Sequence, residues 1–294
     1  MARPLTPRLA LNTLARDPSD PTKWIDVEHL IDIAIELGLD LIDVQLDRGF
    51  RSLEDRYLRS VQEKCQNCGI DIGYAGVGHG FLGAGEDDTG QLIGKRLSSD
   101  EMETRVAEVE QGIDAAVALG TPLIRVFAGT LPEATPNWNE TWNSAVDAFQ
   151  RIANYADNRG VLIGLHNHPP TVAPTGDDIL RLHSDIGRPN VTIILDTGQW
   201  HGSPGSNLEG TSDPTVDFYT YMEQVAPLTT YVRAKIYRID SGQETWLDYP
   251  RIFSILSTAN YQGPISIVYE NRDNHCSHQD ALKLAVTYLR SLTP

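Results

Sequence analysis

Three observations predict an α/β protein of the (β/α)8 class, a TIM barrel. Eight short runs rich in β-branched residues occur along the chain, and each is followed by a longer amphipathic stretch. The runs begin about 30 to 50 residues apart, which suits strand–helix–strand units. Several runs are apolar on both faces, as parallel strands covered by helices require. The predicted strands begin near Arg8, Leu39, Ile70, Thr121, Val161, Val191, Thr229 and Gly263.

Helix signals fill the stretches between these runs. Apolar residues at helical spacing predict one helix from Ile25 to Leu37 and another from Met102 to Leu119, and a glycine follows each of them. Proline near a helix start predicts further helices beginning at Asp213-Pro214 and at Asp248-Tyr249-Pro250. The last helix is expected from His278 to Leu292.

Length and charge restrict the class of protein. The chain has 294 residues, enough for one barrel, so residues 1–294 are predicted to form a single domain. Acidic residues number 40 against 24 basic ones, and the formal net charge of -16 disfavours nucleic acid as a partner. No apolar run is long enough for a membrane span or a secretion signal, so no membrane partner and a cytoplasmic location are expected.

Four strands in the second half of the chain end in polar residues that can hold a metal or move a proton. The carboxyl ends of all strands in a TIM barrel meet at one mouth, where active sites lie. We therefore expect one site that combines these side chains. They are His166, Asn167 and His168 after strand five, Asp196 after strand six, Arg233 and Lys235 in strand seven, and Glu270 after strand eight.

Two long connections after strands three and six are predicted to form lids or substrate walls, the alternative being plain surface excursions. The first, residues 76–97, contains His79 among many glycines, and the second, residues 200–212, begins with Trp200 and His201. Trp200, which follows Gln199, could stack on a sugar ring or simply form wall. We expect His79, Gln199, Trp200 and His201, together with Asn167 and Arg233, to contact the substrate.

The strand ends resemble those of the xylose isomerase-like barrel family of sugar phosphate isomerases and epimerases, and the resemblance spans nearly the whole chain. That family typically carries Glu-Asn-His after strand five, Asp-x-Gly after strand six, His-x-Lys after strand seven and Glu in strand eight. The order and spacing of the motifs are more specific than any one of them. The corresponding positions here are His166-Asn167-His168, Asp196-Thr197-Gly198, Arg233-Ala234-Lys235 and Glu270.

The resemblance implies one divalent metal, Mn, Co, Fe or Zn, which the family holds with Glu, Asp, His and Glu. Asp196 and Glu270 match this set, whereas His166 replaces a glutamate and Arg233 replaces the histidine. Imidazole can ligate such a metal, but arginine has no lone pair to offer. The expected ligands are therefore His166, Asp196 and Glu270, completed by His168, His79 or water. The alternative is a metal-free pocket in which Arg233 pairs with one of the two carboxylates.

The resemblance also implies an isomerase or epimerase of carbohydrate metabolism that acts next to a carbonyl of a sugar or sugar derivative. Glu270 is expected to be the general base, with His168 and Lys235 as further catalytic residues. Either His166 ligates the metal and Glu270 works with His168, or His166 itself is the second base. Arg233 and Lys235 would neutralise a carboxylate, a phosphate or an enediolate oxygen, or would only balance Asp196 and Glu270.

Two further functions remain open. A lyase or dehydratase acting on a 3-keto sugar or inosose needs only one base, and would tolerate the loss of the strand-five glutamate. A non-catalytic sugar-binding barrel would also explain the departures at His166 and Arg233. A related class of DNA-repair endonucleases is disfavoured by the charge of -16. Barrels of this family often form dimers or tetramers, so a homo-oligomer is a further expectation from the resemblance.

Overall fold

Eight parallel strands close into a barrel, which confirms the predicted (β/α)8 class. The computed structural model describes residues 7–12, 16–17, 20–78, 80–81, 83–86, 92–127, 138–168, 175–206, 210–270 and 275–293. Each strand pairs with its neighbours in chain order, and the last strand pairs back with the first. The strands are β1 Leu9–Asn12, β2 Leu41–Gln45, β3 Asp71–Gly76, β4 Leu123–Phe127, β5 Leu162–His166, β6 Val191–Asp196, β7 Thr229–Ile236 and β8 Ile265–Tyr269.

Eight α-helices follow the barrel strands in the described parts of the chain. Short antiparallel strand pairs join Arg16–Asp17 to Asp20–Trp24 and Gly83–Glu86 to Leu92–Lys95. Two 3-10 turns lie at Pro204–Ser206 and Ala226–Leu228. The helices are α1 Val27–Glu36, α2 Asp55–Cys68, α3 Ser99–Leu119, α4 Trp138–Asp157, α5 Gly176–Ile186, α6 Tyr219–Val225, α7 Tyr249–Thr258 and α8 His278–Ser291.

Every barrel strand begins within two residues of its predicted start. The predicted helix at Asp213-Pro214 is wrong, because the chain makes a turn there and α6 begins only at Tyr219. The Asp213 carboxylate accepts hydrogen bonds from the N–H and the hydroxyl of Thr215, at 2.8 Å and 2.6 Å. An aspartate that bonds its own backbone two residues on stabilises a turn as readily as a helix start.

The apolar core has two parts. A large cluster fills the space between the helices and the outer face of the barrel. A small cluster inside the barrel fills its amino-terminal half and consists of Ala10, Leu41, Tyr74, Leu123, Ile194 and Tyr231. The carboxyl-terminal half is therefore left for polar side chains. Within the described residues, no helix is both long and apolar enough to cross a membrane.

Candidate active site

A cavity of about 370 Å³ opens at the carboxyl ends of the barrel strands. Five of the residues predicted from the strand ends line it: His166, His168, Arg233, Lys235 and Glu270. A slightly larger cavity, of about 430 Å³, lies at the amino ends of the strands. The charged Arg8 and Asp71 on its rim pair with each other at 2.7 Å, so it offers no comparable group of inward-facing charges. The carboxyl-end cavity is the candidate site.

The strand register explains why these side chains converge. Asp196 at the end of β6 lies directly beside Arg233 in β7. Lys235 is two residues further along β7 and therefore points to the same face as Arg233. His166 at the end of β5 lies beside Phe127 at the end of β4. We call His166, Asp196, Arg233, Lys235 and Glu270 the mouth cluster.

Asp196 is the centre of the mouth cluster, and its side chain is 0 % exposed. Its Oδ2 lies 3.1 Å from His166 Nε2, 3.2 Å from Arg233 Nε and 3.6 Å from Lys235 Nζ. Its Oδ1 accepts a hydrogen bond from the Gly198 N–H at 3.1 Å. Both carboxylate oxygens of Asp196 are thus engaged by donors of the protein itself.

His166 has both ring nitrogens engaged. Its Nδ1 lies 3.3 Å from Arg125 Nη1, and because a guanidinium can only donate, this nitrogen is the acceptor. The proton is therefore on Nε2, which donates to Asp196. Burial first, and then the charges of Arg233 and Arg125, lower the pKa of His166 well below 6.5. His166 is a neutral hydrogen-bonding link between Arg125 and Asp196.

Lys235 joins the two carboxylates of the cluster. Its ammonium donates a hydrogen bond to Glu270 Oε1 and also faces Asp196. The Lys235 side chain is 1 % exposed, whereas that of Glu270 is 19 % exposed. Since Asp196 is fully enclosed, Glu270 is the carboxylate of the cluster that reaches the cavity.

Two buried arginines add positive charge to the site. Burial lowers the pKa of Arg233, but Tyr74, Asp196 and Asp43 together outweigh burial and raise it above its usual value. Burial and the nearby charge of Arg233 lower the pKa of Arg125 to about 10, so it too is protonated at neutral pH. Arg125 donates to the side chain of Gln45 and to the carbonyl of Val77.

A second polar group lies deeper in the barrel, and we call Asn12, Asp43, Tyr74 and Tyr231 the interior cluster. The Tyr231 hydroxyl donates to Asp43, and Asn12 Nδ2 donates to the Tyr74 hydroxyl at 2.8 Å. Burial raises the pKa of Asp43 to about 7, although Tyr231 and Arg233 act to lower it. The two clusters touch where Arg233 donates to the Tyr74 hydroxyl.

The side chains present do not fit the divalent metal that the resemblance implies. Among the described residues, no group of three or more His, Cys, Asp or Glu side chains is arranged to hold a metal ion. The predicted ligands His166, Asp196 and Glu270 are all described, but His166 directs its lone pair at Arg125. Asp196 and Glu270 are bridged by Lys235, and Arg233 contacts Asp196 from a third side. In the structure these side chains form ion pairs with one another, and their role as metal ligands stays a prediction from the resemblance.

The other predicted contact residues lie outside the cavity. Asn167 is buried and bonds the backbone of Asp196 twice, so it fixes β5 to β6. Trp200 is fully buried in the large apolar cluster outside the barrel, with its ring centre 5.9 Å from that of Tyr221 in α6. Gln199 is also buried. His201 is exposed and does not line the cavity, and His79 lies outside the described residues.

Several residues of the cavity were not predicted from the sequence. Gln45 and Arg125 come from β2 and β4. A single polar residue in an apolar run is common in any strand, so neither residue indicated a site. Trp24 and Arg48 form the rim, with the Arg48 guanidinium 4.6 Å from the Trp24 ring centre. The one signal for Arg125 was its charge inside the otherwise apolar run 123–127. A buried charge usually requires a partner or a function.

The fold and the polar carboxyl-end cavity define a TIM barrel of the kind that carries enzymes. The family model described as xylose isomerase-like TIM barrel matches residues 31–292. The chain belongs to this family. Its match covers all strands from β2 to β8 and therefore every residue of the mouth cluster.

Solved structures of similar fold include several sugar epimerases. D-psicose 3-epimerase from Clostridium cellulolyticum H10 superposes with a TM-score of 0.71 at 13% identity, over 97% of this chain and 98% of that one. The 3-keto-D-glucoside 4-epimerase from E. coli gives 0.68 at 16% identity, over 96% and 100%. A xylose isomerase domain protein from Planctomyces limnophilus gives 0.69 at 18% identity, over 98% of both chains. At these identities the likeness shows the fold alone.

One curated relative carries the name of a deglycosidase. The alpha subunit of 3'-dehydrocarminate deglycosidase from Microbacterium sp is 22% identical over 198 residues, which is 65% of this chain. The matched part covers 50% of that protein, so the chain spans about half the length of this relative. The family match and these neighbours agree on the xylose isomerase-like TIM barrel fold.

Proposed function

We propose that this protein removes a proton from a carbon next to the ketone of a sugar derivative, with Glu270 as the base. The observation that carries the proposal is the Lys235–Glu270 ion pair at the cavity. A carboxylate base is useful only while ionised, and the adjacent ammonium favours the ionised form. The same ammonium would stabilise the negative charge that develops on the ketone oxygen.

The cavity suits a sugar derivative in size and in lining. Its volume of about 370 Å³ falls within the usual range for small-molecule sites. Trp24, Phe127 and Tyr269 supply aromatic faces for the C–H groups of a sugar ring, and Arg48 and Arg125 supply donors for its oxygens. The name of the relative and that of the E. coli epimerase both specify a sugar oxidised to a ketone, which supports this substrate class.

Among the reactions that follow such a proton removal, we favour elimination. The C–H bond next to the ketone breaks, its proton moves to Glu270, and the electron pair forms an enolate. The enolate then re-forms the ketone and expels a leaving group, with its bonding electrons, from the carbon on the far side of the double bond. This route needs one base. It agrees with the engaged state of both nitrogens of His166, which leaves no second base at the strand-five position.

Isomerisation or epimerisation is the second candidate, because one observation favours it. His168 lines the same cavity as Glu270, with its ring centre 5.5 Å from that of His166. A neutral imidazole there could return a proton to the opposite face of the enolate. Glu270 and His168 would then replace the two glutamates that the family uses.

Turnover in D₂O tests the proposal directly. We expect wild-type protein either to release the aglycone of a 3-keto glycoside or to place deuterium next to its carbonyl, and the Glu270→Gln variant to lose both. The matched control is Glu63→Gln, which makes the same change at an exposed position of α2. Product mass then separates the two reactions, since elimination releases the aglycone and epimerisation leaves the mass unchanged. Sugar binding with neither exchange nor release of the aglycone would contradict the proposal and favour a non-catalytic barrel.

A further inference from the structure

We propose that the positive charge of this site is built into the chain, so that Arg233, with Lys235 beside it, replaces the divalent metal of the family. The inference concerns the same site as the proposed function, and its catalytic part rests on that function. Its binding part, that the site holds no divalent ion, stands independently. The ligand that the two cations would receive is the enolate oxygen of a keto sugar.

The total charge of the strand-end residues supports the replacement. The family pattern of Glu, Asp, His and Glu carries three negative charges, and a bound divalent ion reduces this to one net negative charge. The same positions here are His166, Asp196, Arg233 and Glu270. Asp196 and Glu270 are negative and Arg233 is positive. His166 is neutral because its Nδ1 accepts from Arg125 and only its Nε2 carries a proton, so the total is one negative charge with no ion bound. The two departures from the family pattern together supply the charge of a divalent ion.

The contacts show that these charges are used within the site. Arg233 Nε lies 3.2 Å from Asp196 Oδ2, and Lys235 Nζ lies between this oxygen and Glu270. An ion that bridged the two carboxylates would have to displace the Lys235 ammonium. It would then lie beside the Arg233 guanidinium, which always keeps its charge. The family pattern also carries the lysine, so the Arg233 guanidinium is the feature of this chain that weakens the binding of a cation.

Arg233 cannot easily move away to admit an ion. Its side chain is 2 % exposed and is held from both sides, by Asp196 in the mouth cluster and by the Tyr74 hydroxyl in the interior cluster. Burying it without these partners would leave a charge unpaired, which is costly. Its position is therefore fixed by the barrel rather than by a ligand.

The two cations can perform the electrostatic role of a metal. Both line the cavity together with Glu270. An ammonium has three N–H donors. One bonds Glu270 Oε1, and the contact with Asp196 Oδ2 at 3.6 Å is an ion pair, so the ammonium can also donate to a substrate oxygen. Preorganised donors in an enclosed site stabilise an oxyanion without the need to reorganise during the reaction.

The test restores the family residues and measures metal rather than activity. We compare wild type with the His166→Glu/Arg233→His double variant, using metal content after purification without chelator and equilibrium dialysis against Mn²⁺. The wild type should carry well under one ion per chain, and the double variant should bind Mn²⁺ about 100-fold more tightly or better. The control is His29→Glu/Arg105→His, which makes the same exchanges at an exposed histidine and at an arginine outside the cavity.

The wild type decides the inference even if the double variant fails to fold. About one Mn, Fe, Co or Zn per wild-type chain, lost in Asp196→Asn, would overturn it. A wild-type melting temperature that Mn²⁺ and EDTA leave unchanged supports it, because a ligand bound only by the folded state raises that temperature. Wild type without metal that shows neither proton exchange nor aglycone release on any keto sugar would leave the binding part of this inference standing and contradict the proposed function together with the catalytic part.

Discussion

The mouth cluster and the interior cluster both place carboxyl groups inside the barrel, but the groups that surround these carboxyls differ in charge. Asp196 at the mouth is surrounded by Arg233, Lys235 and the N–H of His166. Asp43 in the interior accepts hydrogen bonds from neutral groups, among them the Tyr231 hydroxyl, and burial raises its pKa to about 7. The difference teaches that depth alone does not set the charge of a buried group. The nearest hydrogen-bond donors set that charge, and in this barrel β7 supplies them.

The comparison indicates that the mouth cluster carries out the reaction and that the interior cluster stabilises the fold. Glu270 belongs to the mouth and reaches the cavity, whereas Asp43 does not line it. Tyr74 connects them, since it receives a hydrogen bond from Arg233 above and from Asn12 below. Changes at the mouth should therefore alter turnover most, and changes in the interior should alter stability.

The largest expected effect comes from Glu270→Gln. Loss of the base should lower kcat for a keto sugar by about 10³-fold, within the usual range for general acid–base residues. Asp43→Asn should change kcat by no more than about tenfold, because its carboxyl does not face the cavity. Steady-state kinetics on both variants checks this. Equal losses in the two would show that the clusters are not separate in function.

The next effect is on stability. Arg233→Met should lower the free energy of unfolding by roughly 3–5 kcal/mol, because it leaves Asp196 short of a partner in a buried site. Arg159→Met is the matched control, since Arg159 pairs with Asp114 at 2.6 Å on the surface. Arg159→Met should lower the free energy of unfolding by less than about 1 kcal/mol. Urea unfolding of both variants measures the difference, and similar costs would contradict the assigned role of burial.

Two glycines sharpen the comparison. A Cβ at Gly73 would meet the Tyr231 hydroxyl and the Asp43 carboxylate, and one at Gly76 would meet the Arg125 guanidinium and Gln45. Alanine at either position should lower the free energy of unfolding by about 1–3 kcal/mol, because the added methyl group overpacks the site. Gly73→Ala should cost more, because a tyrosine ring inside the barrel yields less than the end of an arginine. Gly76→Ala should in addition lower kcat/KM. Thermal unfolding and kinetics on the pair check both statements.

The last expected effect is a change in pH dependence. The pKa of Asp43 is raised from 3.8 to about 7 in the folded state, so its proton stabilises the fold fully below about pH 4. This contribution is lost as pH rises through 7, by at most about 1.4 kcal/mol per pH unit. Asp43→Asn should make the free energy of unfolding depend less on pH between about pH 4 and pH 7, while Asp157→Asn at an exposed position should not. Glu244, whose pKa burial also raises to about 7, contributes its own slope to every variant.

The sequence was sufficient for the barrel and for placing five of its polar side chains at the carboxyl-end cavity. Parallel strands covered on both faces are continuously apolar, so their starts were clear, and the polar residues that follow them marked the mouth. The partners from the first half of the barrel were not visible. Tyr231 and Asp43 are 188 residues apart, and Arg125 and His166 are 41 apart. Such pairs depend on closure of the barrel, which no local pattern reports.

Trp200 shows a different reason for error. An aromatic residue just after a strand end can face the mouth or turn beneath it, and its neighbours Gln199 and His201 do not decide between the two. In the structure it is buried while His201 remains exposed. The direction depends on the turn after Asp196, where Ser203 and Tyr237 both donate to the carbonyl of Gly198.

The side chain of Asn167 behaves as one more peptide unit of the sheet. Its amide donates to the carbonyl of Asp196 at 3.1 Å and accepts from the Asp196 N–H at 2.8 Å, as a neighbouring strand would. The ladder between β5 and β6 is thereby extended to the last residue before the cavity. Hydrogen exchange at the Asp196 amide should accordingly be as slow as in the middle of the barrel, although it lies at the open end. The central carboxylate is held in place before any substrate arrives.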